Sequence, residues 1–206
     1  MNKNQTLNYL YRLKSFGIDY HDSIKANSKH ENIMLDSATN IKELNKSVKN
    51  CFLCELHKQS KYKHTTTNSQ KIDIMIINDF STNSFDPFLG QAGKMLENIC
   101  LNVLKLTKEQ IYWTNIIKCP IFDSSFITKE NIEICQNYLQ NEVDIIKPKV
   151  IVCFKNKISK QIELKIDDIK LVQTYSPSYL LRNPSKKQIV FDDMKKVYSI
   201  LNYSSK

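Results

Sequence analysis

From residue 72 onward, short apolar runs alternate with longer segments whose apolar residues recur at helical spacing. Runs rich in β-branched and aromatic residues predict strands at 72–78, 110–118, 148–154 and 169–175. Segments with a helical period predict helices at 89–106, 128–146, 156–164 and 184–201. Because strands that alternate with helices form a mostly parallel sheet covered on both faces, the pattern predicts an α/β fold.

The first 48 residues follow a different pattern, which predicts an N-terminal helical extension. Apolar residues share one face of a first helix, which Gly17 ends. Asn40 is placed to cap a second, short helix over residues 41–48. The domain that contains the strands is therefore predicted to span residues 49–206.

The composition is typical of a globular protein that buries its own core. The chain has 206 residues, of which 41% are hydrophobic and 25% are charged. No apolar run approaches the ~20 residues that span a bilayer, and the N-terminus lacks the apolar core of a secretory signal. We therefore expect a cytoplasmic monomer that has no membrane partner.

The net charge of +9 favours a partner that carries phosphate groups. Lysine and arginine side chains release condensed counterions from nucleic acid, which drives binding. The chain is also rich in Lys, Asn and Ile, a bias that can arise without any functional cause. Charge alone therefore leaves a nucleic-acid role and a compositional bias as equal alternatives.

The six cysteines are the strongest chemical signal in the sequence. A reducing compartment argues against a disulfide framework. Cys51-Phe-Leu-Cys54 can present two thiolates to one metal, and Cys119 and Cys135 fall where the end of the second strand and the next helix can meet them. Spacing alone predicts a metal site but leaves zinc and iron–sulfur both open. The other two cysteines lie in apolar segments and are predicted to be buried: Cys100 and Cys153.

Six short motifs surround these cysteines and occur in a fixed order. They are Cys51-Phe-Leu-Cys-Glu-Leu-His57, Pro87-Phe-Leu-Gly-Gln-Ala-Gly-Lys-Met-Leu96, Thr114-Asn-Ile-Ile-Lys-Cys-Pro120, Cys135-Gln-Asn-Tyr-Leu139, Lys147-Pro-Lys-Val-Ile-Val152 and Thr174-Tyr-Ser-Pro-Ser-Tyr-Leu-Leu-Arg-Asn-Pro184. In this order the motifs resemble the family-4 uracil-DNA glycosylases, the iron–sulfur branch of that superfamily. The resemblance implies a three-layer α/β/α fold around a four-stranded mostly parallel sheet. It also implies hydrolysis of the N-glycosidic bond of deoxyuridine in DNA, which leaves an abasic site.

The resemblance further implies a cofactor and a base-binding site. A structural [4Fe–4S] cluster, rather than zinc, would be held by the four cysteines of the motifs: Cys51, Cys54, Cys119 and Cys135. Phe88 matches the aromatic residue that stacks on the extruded uracil, and Asn115 matches the amide that hydrogen-bonds the edge of the base.

Other matched residues imply contacts with DNA, uracil-containing or single-stranded. Gly90 would let the start of a helix approach the DNA backbone closely. Leu180 or Leu181 would enter the base stack, and Arg182 would contact phosphates.

Two positions depart from the family pattern at the predicted catalytic site. Asp79 stands where the family has Glu in a glycine-rich loop, and its carboxylate would orient water or balance the charge of the sugar. Ser176 stands where the family has His, and a hydroxyl donates a weaker hydrogen bond and carries no charge. The sequence therefore predicts a glycosylase, with a catalytically impaired or inactive iron–sulfur DNA-binding protein as the alternative. A zinc-stabilised protein without a DNA role is the third interpretation.

Overall fold

The computed structural model describes residues 38–66, 71–82 and 86–203. The predicted helix that ends at Gly17 lies outside these residues, and the proposed domain boundary at residue 48 stays a prediction. The compact unit that contains the described residues spans Leu35–Lys206. None of the helices described is long and apolar enough to cross a membrane.

Ten regular elements form the framework of the described chain. In chain order they are α1 (Ile41–Lys49), α2 (Leu56–Gln59), β1 (Ile74–Asn78), α3 (Gly90–Ile99), β2 (Tyr112–Asn115), α4 (Lys129–Ile146), β3 (Val150–Phe154), β4 (Lys170–Thr174), α5 (Pro177–Arg182) and α6 (Lys187–Tyr203). Short 3-10 turns precede β2, α4 and α6, and a π-helical turn at Cys100–Leu104 extends α3.

The four strands form one sheet in the order β2-β1-β3-β4, and every pairing is parallel. The predicted α/β fold with a four-stranded parallel sheet and helices on both sides is thereby confirmed. One helical layer contains α1 packed on α4, and the other contains α3, α5 and α6. Strands β1 and β3 lie in the centre, where Ile74–Ile77 and Val150–Phe154 are buried. A strand covered on both faces has no solvent-facing side, so its residues are apolar throughout.

Local side chains define the starts of two predicted helices. The Asn40 side chain accepts a hydrogen bond from the Glu43 backbone nitrogen at 3.0 Å and begins α1 as predicted. Thr128 and Asn131 cap one another's backbone groups at the start of α4. These caps satisfy donors that a helix leaves unpaired at its first turn.

The helix predicted at 156–164 is wrong, because side chains hold this segment in a turn and an extended stretch. Asn156 and Ser159 exchange side-chain to backbone hydrogen bonds at 2.9 and 2.7 Å. The side chains of Gln136 and Gln140 on α4 bind the backbone around residues 163 and 165. Backbone groups that are satisfied in this way no longer need helical partners.

Candidate functional site

A cavity of about 440 Å³ opens at the carboxyl ends of β1 and β2. The chain passes from β1 to β2 on one side and then crosses to β3 on the other side of β1. The strand order therefore reverses between β1 and β3, and Phe154 at the end of β3 also lines the cavity. Ligands of open parallel sheets bind at such points. The polar residues of the lining include His64, Asn78, Asn115, Ser176 and Arg182.

Asn115 places an amide without a complete set of partners on the wall of this cavity. It ends β2 beside Asn78, with which it is in register, and is only 1% exposed. The Asn78 side-chain nitrogen donates to Asn115 Oδ1 at 3.4 Å. Asn115 Nδ2 has no hydrogen-bond partner. A buried donor left unpaired costs about 1–3 kcal/mol, so a ligand that supplies an acceptor oxygen recovers this free energy.

Phe88 lies at the rim, in the segment that begins α3. Its neighbours Pro87 and Leu89 line the cavity, whereas Phe88 itself is half-buried against the core and is not among the lining residues. Gly90 has a φ of +70°, a conformation that favours glycine. A Cβ on Gly93 would lie 2.1 Å from the Phe88 carbonyl carbon. Glycine at this position therefore brings the helix directly against the Phe88 backbone.

Asp79 follows β1 but does not line the cavity. Its Oδ1 accepts a hydrogen bond from the Phe80 backbone nitrogen at 2.9 Å. Burial raises the pKa of Asp79 above the ordinary aspartate value. Burial and then the charge of Asp79 raise the pKa of Cys153 to about 11, so the carboxylate lies toward β3. The structure therefore does not bring Asp79 together with Asn115 in the cavity wall.

The segment that contains Ser176 is a short helix, and its residues point in different directions. The Ser176 hydroxyl lines the cavity and also caps α5 by accepting a hydrogen bond from the Tyr179 nitrogen at 3.2 Å. Arg182 lines the same cavity. Leu180 is 2% exposed and packs in the core, whereas Leu181 is 41% exposed. The prediction that either leucine can enter a base stack is thus corrected, because only Leu181 is accessible.

The four cysteines of the motifs, hereafter the cysteine cluster, converge from three segments. Cys51 and Cys54 lie in the loop between α1 and α2, Cys119 follows β2, and Cys135 lies in α4. Burial raises the pKa of Cys119 to about 11, Lys63 opposes this shift, and the nearby thiols of Cys54 and Cys51 add to it. Burial likewise raises the pKa of Cys135, and Cys54 and Cys119 add to that shift. These mutual effects indicate that the thiols lie within electrostatic range of one another.

Polar groups approach three of these sulfurs. The Asn131 side chain is hydrogen-bonded to Cys54, the Lys118 backbone to Cys135, and the Tyr138 side chain to Cys51. All six cysteines are free thiols, and Cys100 and Cys153 are buried as predicted. Within the described residues, no three His, Cys, Asp or Glu side chains are arranged to hold a single metal ion.

A buried ion pair joins α4 to the continuation of β2, and the sequence did not reveal it. Lys118 Nζ lies 2.8 Å from Glu142 Oε2, and the two side chains are 2% and 3% exposed. Thr114 Oγ1 donates to Glu142 and accepts from Lys118, both at 2.7 Å. Thr114 directly precedes Asn115, and Lys118 directly precedes Cys119. The Lys118–Glu142 pair is therefore linked along β2 and its continuation to a cavity residue and to a cysteine of the cluster. A lysine directly after two isoleucines was the only signal of such burial.

His64 is a second cavity residue that sequence reasoning missed. It is 4% exposed and lines the cavity together with Asn115. Burial and then the charge of Lys118 lower the pKa of His64 to about 4, while a hydrogen bond with the Trp113 backbone opposes this shift. The polar segment around His64 has no periodicity that would have singled the residue out.

Comparison with known proteins identifies the family. Residues 79–201 match the family model of the uracil DNA glycosylase superfamily. A type-4 uracil-DNA glycosylase from Sulfurisphaera tokodaii is 28% identical over 79% of this chain and 84% of its own length. Proteins of the same name from Thermotoga maritima and Archaeoglobus fulgidus are 29% and 25% identical over 75% and 74% of this chain, and over 91% and 88% of their own lengths. The family that the six motifs resembled is thus confirmed, and the chain belongs to the uracil DNA glycosylase superfamily.

Proposed function

We propose that this protein is a DNA glycosylase that removes uracil by hydrolysing the N-glycosidic bond of deoxyuridine. The observation that carries the proposal is the buried Asn115 amide nitrogen, which lacks a partner in a cavity of about 440 Å³. Uracil presents a carbonyl oxygen on its pairing edge that can accept this donor. An enzyme that acts on a base must extrude it from the helix and read that edge in a pocket.

The residues around the cavity supply further parts of a base-binding site. Phe88, whose backbone lies directly against Gly93, is proposed to stack on the extruded base, which requires its side chain to turn toward the cavity. Ser176 can still donate its hydroxyl hydrogen to a base oxygen, because its capping role uses only a lone pair. Asp79 lies outside the lining, so its proposed role in orienting water requires the loop after β1 to move when DNA binds.

DNA is the proposed macromolecular partner, either uracil-containing or single-stranded. The exposed Leu181 would enter the gap that the extruded base leaves, and Arg182 would contact a phosphate nearby. Gly90, with its positive φ at the start of α3, would allow the DNA backbone to approach closely. The net charge of +9 favours such binding. A monomeric state and a cytoplasmic location stay predictions of the sequence.

The cysteine cluster is proposed to hold a [4Fe–4S] cluster. Its four thiols fit this cofactor because each cysteine binds a different iron atom, so the thiols need not meet at one ion. The hydrogen bonds from Asn131, the Lys118 backbone and Tyr138 would stabilise the thiolate form of the ligands. When bound, the cluster would supply a structural crosslink among three chain segments. No step of the hydrolysis needs it.

A second candidate function is a DNA-binding protein that does not cleave. Two observations favour it: the carboxylate of Asp79 lies outside the cavity, and Ser176 replaces a residue that can carry charge. Loss of one well-placed catalytic donor typically reduces a rate by ~100- to 1000-fold. A protein that has lost two such groups would still bind DNA but would no longer cleave the glycosidic bond at a useful rate.

Cleavage of uracil-containing single-stranded DNA by the purified protein tests the proposal. We expect strand breakage at the uracil position after abasic-site cleavage, and a ~100-fold or greater loss in Asn115→Ala. Asn98→Ala, which changes an exposed asparagine of α3, is the matched control and should retain full activity. Wild-type protein that binds this DNA in a salt-dependent way but leaves it intact would establish the second candidate instead.

A further inference from the structure

A pair of stacked tyrosines lies beside the cavity, where the chain leaves β4 and enters α5. Building on the proposed glycosylase function, we propose that these rings and the basic turn next to them bind an unpaired nucleotide that flanks the extruded uracil. Tyr175, Tyr179 and residues 155–160 form this tyrosine–lysine surface. It would favour single-stranded DNA, because a base that is already unpaired can stack on a side chain.

The two tyrosine rings form a nearly parallel stack. Their centroids are 4.8 Å apart, and their planes are inclined by 13°. The Lys155 ammonium lies over the Tyr175 ring, 5.5 Å from its centroid. Tyr175 thus contacts both a cation and a ring, whereas Tyr179 ends the stack within the described part of the chain. Because Tyr179 is partly exposed, its ring is the one on which a further flat group can stack.

Backbone hydrogen bonds hold this surface in place before any ligand binds. The Lys155 backbone nitrogen donates to the Thr174 carbonyl oxygen at 2.7 Å, directly before Tyr175. The Tyr179 backbone nitrogen donates to the Ser176 hydroxyl at 3.2 Å. A surface that is already ordered loses less conformational entropy when it binds a ligand.

The turn that follows β3 supplies positive charge next to the rings. Its three lysines are exposed, and no acidic residue lies between them: Lys155, Lys157 and Lys160. The hydrogen bonds exchanged by Asn156 and Ser159 fix the turn that carries them. Lysines bind phosphates by releasing counterions, and aromatic rings stack on bases of any sequence. A positive turn beside a stacked aromatic pair therefore matches the chemistry of a single nucleic-acid strand.

The tyrosine–lysine surface is continuous with the cavity in which the uracil is proposed to bind. Each tyrosine is the sequence neighbour of a serine that lines the cavity, namely Ser176 or Ser178. Lys155 directly follows Phe154, which lines the same cavity. Because successive nucleotides of a strand are covalently joined, a uracil in the cavity brings its neighbour toward this surface.

Equilibrium binding of short oligonucleotides to the full-length, cofactor-loaded protein tests the role of the rings. Two single strands carry one deoxyuridine whose 2′-fluorine slows hydrolysis, and they differ only in its flanking nucleotides, which are thymidines or abasic spacers. The wild type should bind the strand with flanking bases ~10-fold more tightly, as expected for one stacked base. Tyr179→Ala should reduce this ratio toward one, whereas Tyr179→Phe, which keeps the ring, should preserve it.

Two further measurements test the strand preference and the charge. The same uracil strand in a duplex should bind the wild type less tightly, and Tyr179→Ala should narrow that difference. Replacement of both Lys157 and Lys160 by alanine should weaken the two single strands alike and reduce the salt dependence of binding, because phosphate contacts do not depend on the base.

The ratio distinguishes stacking from structural support, since a structural defect weakens both single strands alike. Tyr198→Ala, which changes an exposed tyrosine of α6, is the matched control and should keep the wild-type ratio. If Tyr179→Ala does not fold, Tyr179→Leu is measured, because leucine fills space but offers no flat ring. A folded variant with the wild-type ratio overturns the role of the surface, while cleavage of uracil-containing DNA by the wild type keeps the glycosylase proposal. A wild type that neither binds nor cleaves this DNA overturns both.

Discussion

The cysteine cluster and the cavity both begin at the carboxyl end of β2, yet their polar atoms are satisfied in different ways. At the cysteine cluster, Asn131, Tyr138 and the Lys118 backbone supply hydrogen bonds to the sulfurs. In the cavity, Asn115 Nδ2 and Ser81 Oγ are buried without partners. Because unpaired buried groups raise the free energy of the folded state, a ligand that pairs with them would be bound more tightly. This difference is consistent with the proposal that the cysteine cluster stabilises the fold and the cavity recognises a ligand.

Lys118 of the Lys118–Glu142 pair interacts with a residue of each region. Lys118 repels a proton from His64 on the cavity side, and its backbone contacts Cys135 on the other side. A change in this pair should therefore affect both regions together, whereas a change within either region should stay local.

Glu142→Gln should have the largest effect, because it leaves the buried Lys118 ammonium without a counter-charge. Removal of one partner of a buried ion pair costs ~3–5 kcal/mol. Denaturant unfolding should show this loss, and both cofactor content and uracil binding should fall. Asp73→Asn, in the partly exposed pair with Lys149, is the control and should cost less than ~1 kcal/mol. Unchanged cofactor content and uracil binding in folded Glu142→Gln protein would show that the buried pair does not join the regions.

Cys135→Ser should have a smaller effect that is confined to the cysteine cluster. We expect loss of most bound iron and sulfide and of the brown colour, with a stability loss of ~1–3 kcal/mol for a buried hydroxyl in place of a ligand. Inhibition by uracil, measured on protein that remains folded, should change little. The matched variant is Cys100→Ser, also buried but outside the cluster, which should keep its iron. Colourless wild-type protein that contains zinc would contradict the iron–sulfur assignment.

Asp79→Asn should have the smallest effect on stability, and in the opposite direction. The folded-state pKa of Asp79 is raised by burial, so the charged carboxylate destabilises the folded protein above that pKa. The variant should therefore unfold at a higher temperature than wild type near neutral pH. The difference should vanish below about pH 4, where aspartate is protonated in the folded and unfolded chains. A difference independent of pH would show that the charge is not its cause.

The same substitution also tests catalysis at this position. If Asp79 moves to orient water, Asp79→Asn should lower the cleavage rate while uracil inhibition is unchanged. A more stable but less active variant is the expected signature of a functional group held at a cost to the fold.

Those parts of the fold that depend on local pattern followed from the sequence. Apolar runs located the four strands, and Thr128 marked the start of α4. The segment 156–164 was misassigned because its conformation depends on Gln136 and Gln140, which are distant in the chain. The helical period of a segment does not show that distant side chains will bind its backbone groups in place of helical hydrogen bonds.

The same distinction applies to the candidate site. The order of the motifs singled out Asn115 and the four cysteines, because the residues next to them in sequence belong to the same motifs. His64 and the burial of Lys118 escaped because a single polar residue gives no pattern, and its partner lies elsewhere in the chain. Burial also separated Leu180 from Leu181, which are equivalent as sequence letters. Side-chain direction, rather than residue type, decided which of them reaches solvent.

Gly93 occupies a position that tolerates no other residue without a change in the backbone. The chain has only three glycines, and two of them stand at the start of α3. Any side chain at Gly93 would collide with the Phe88 backbone, so even alanine is not a neutral intermediate between glycine and another residue. Any residue other than glycine at position 93 would therefore have to displace the Phe88 backbone and the start of α3 from one another.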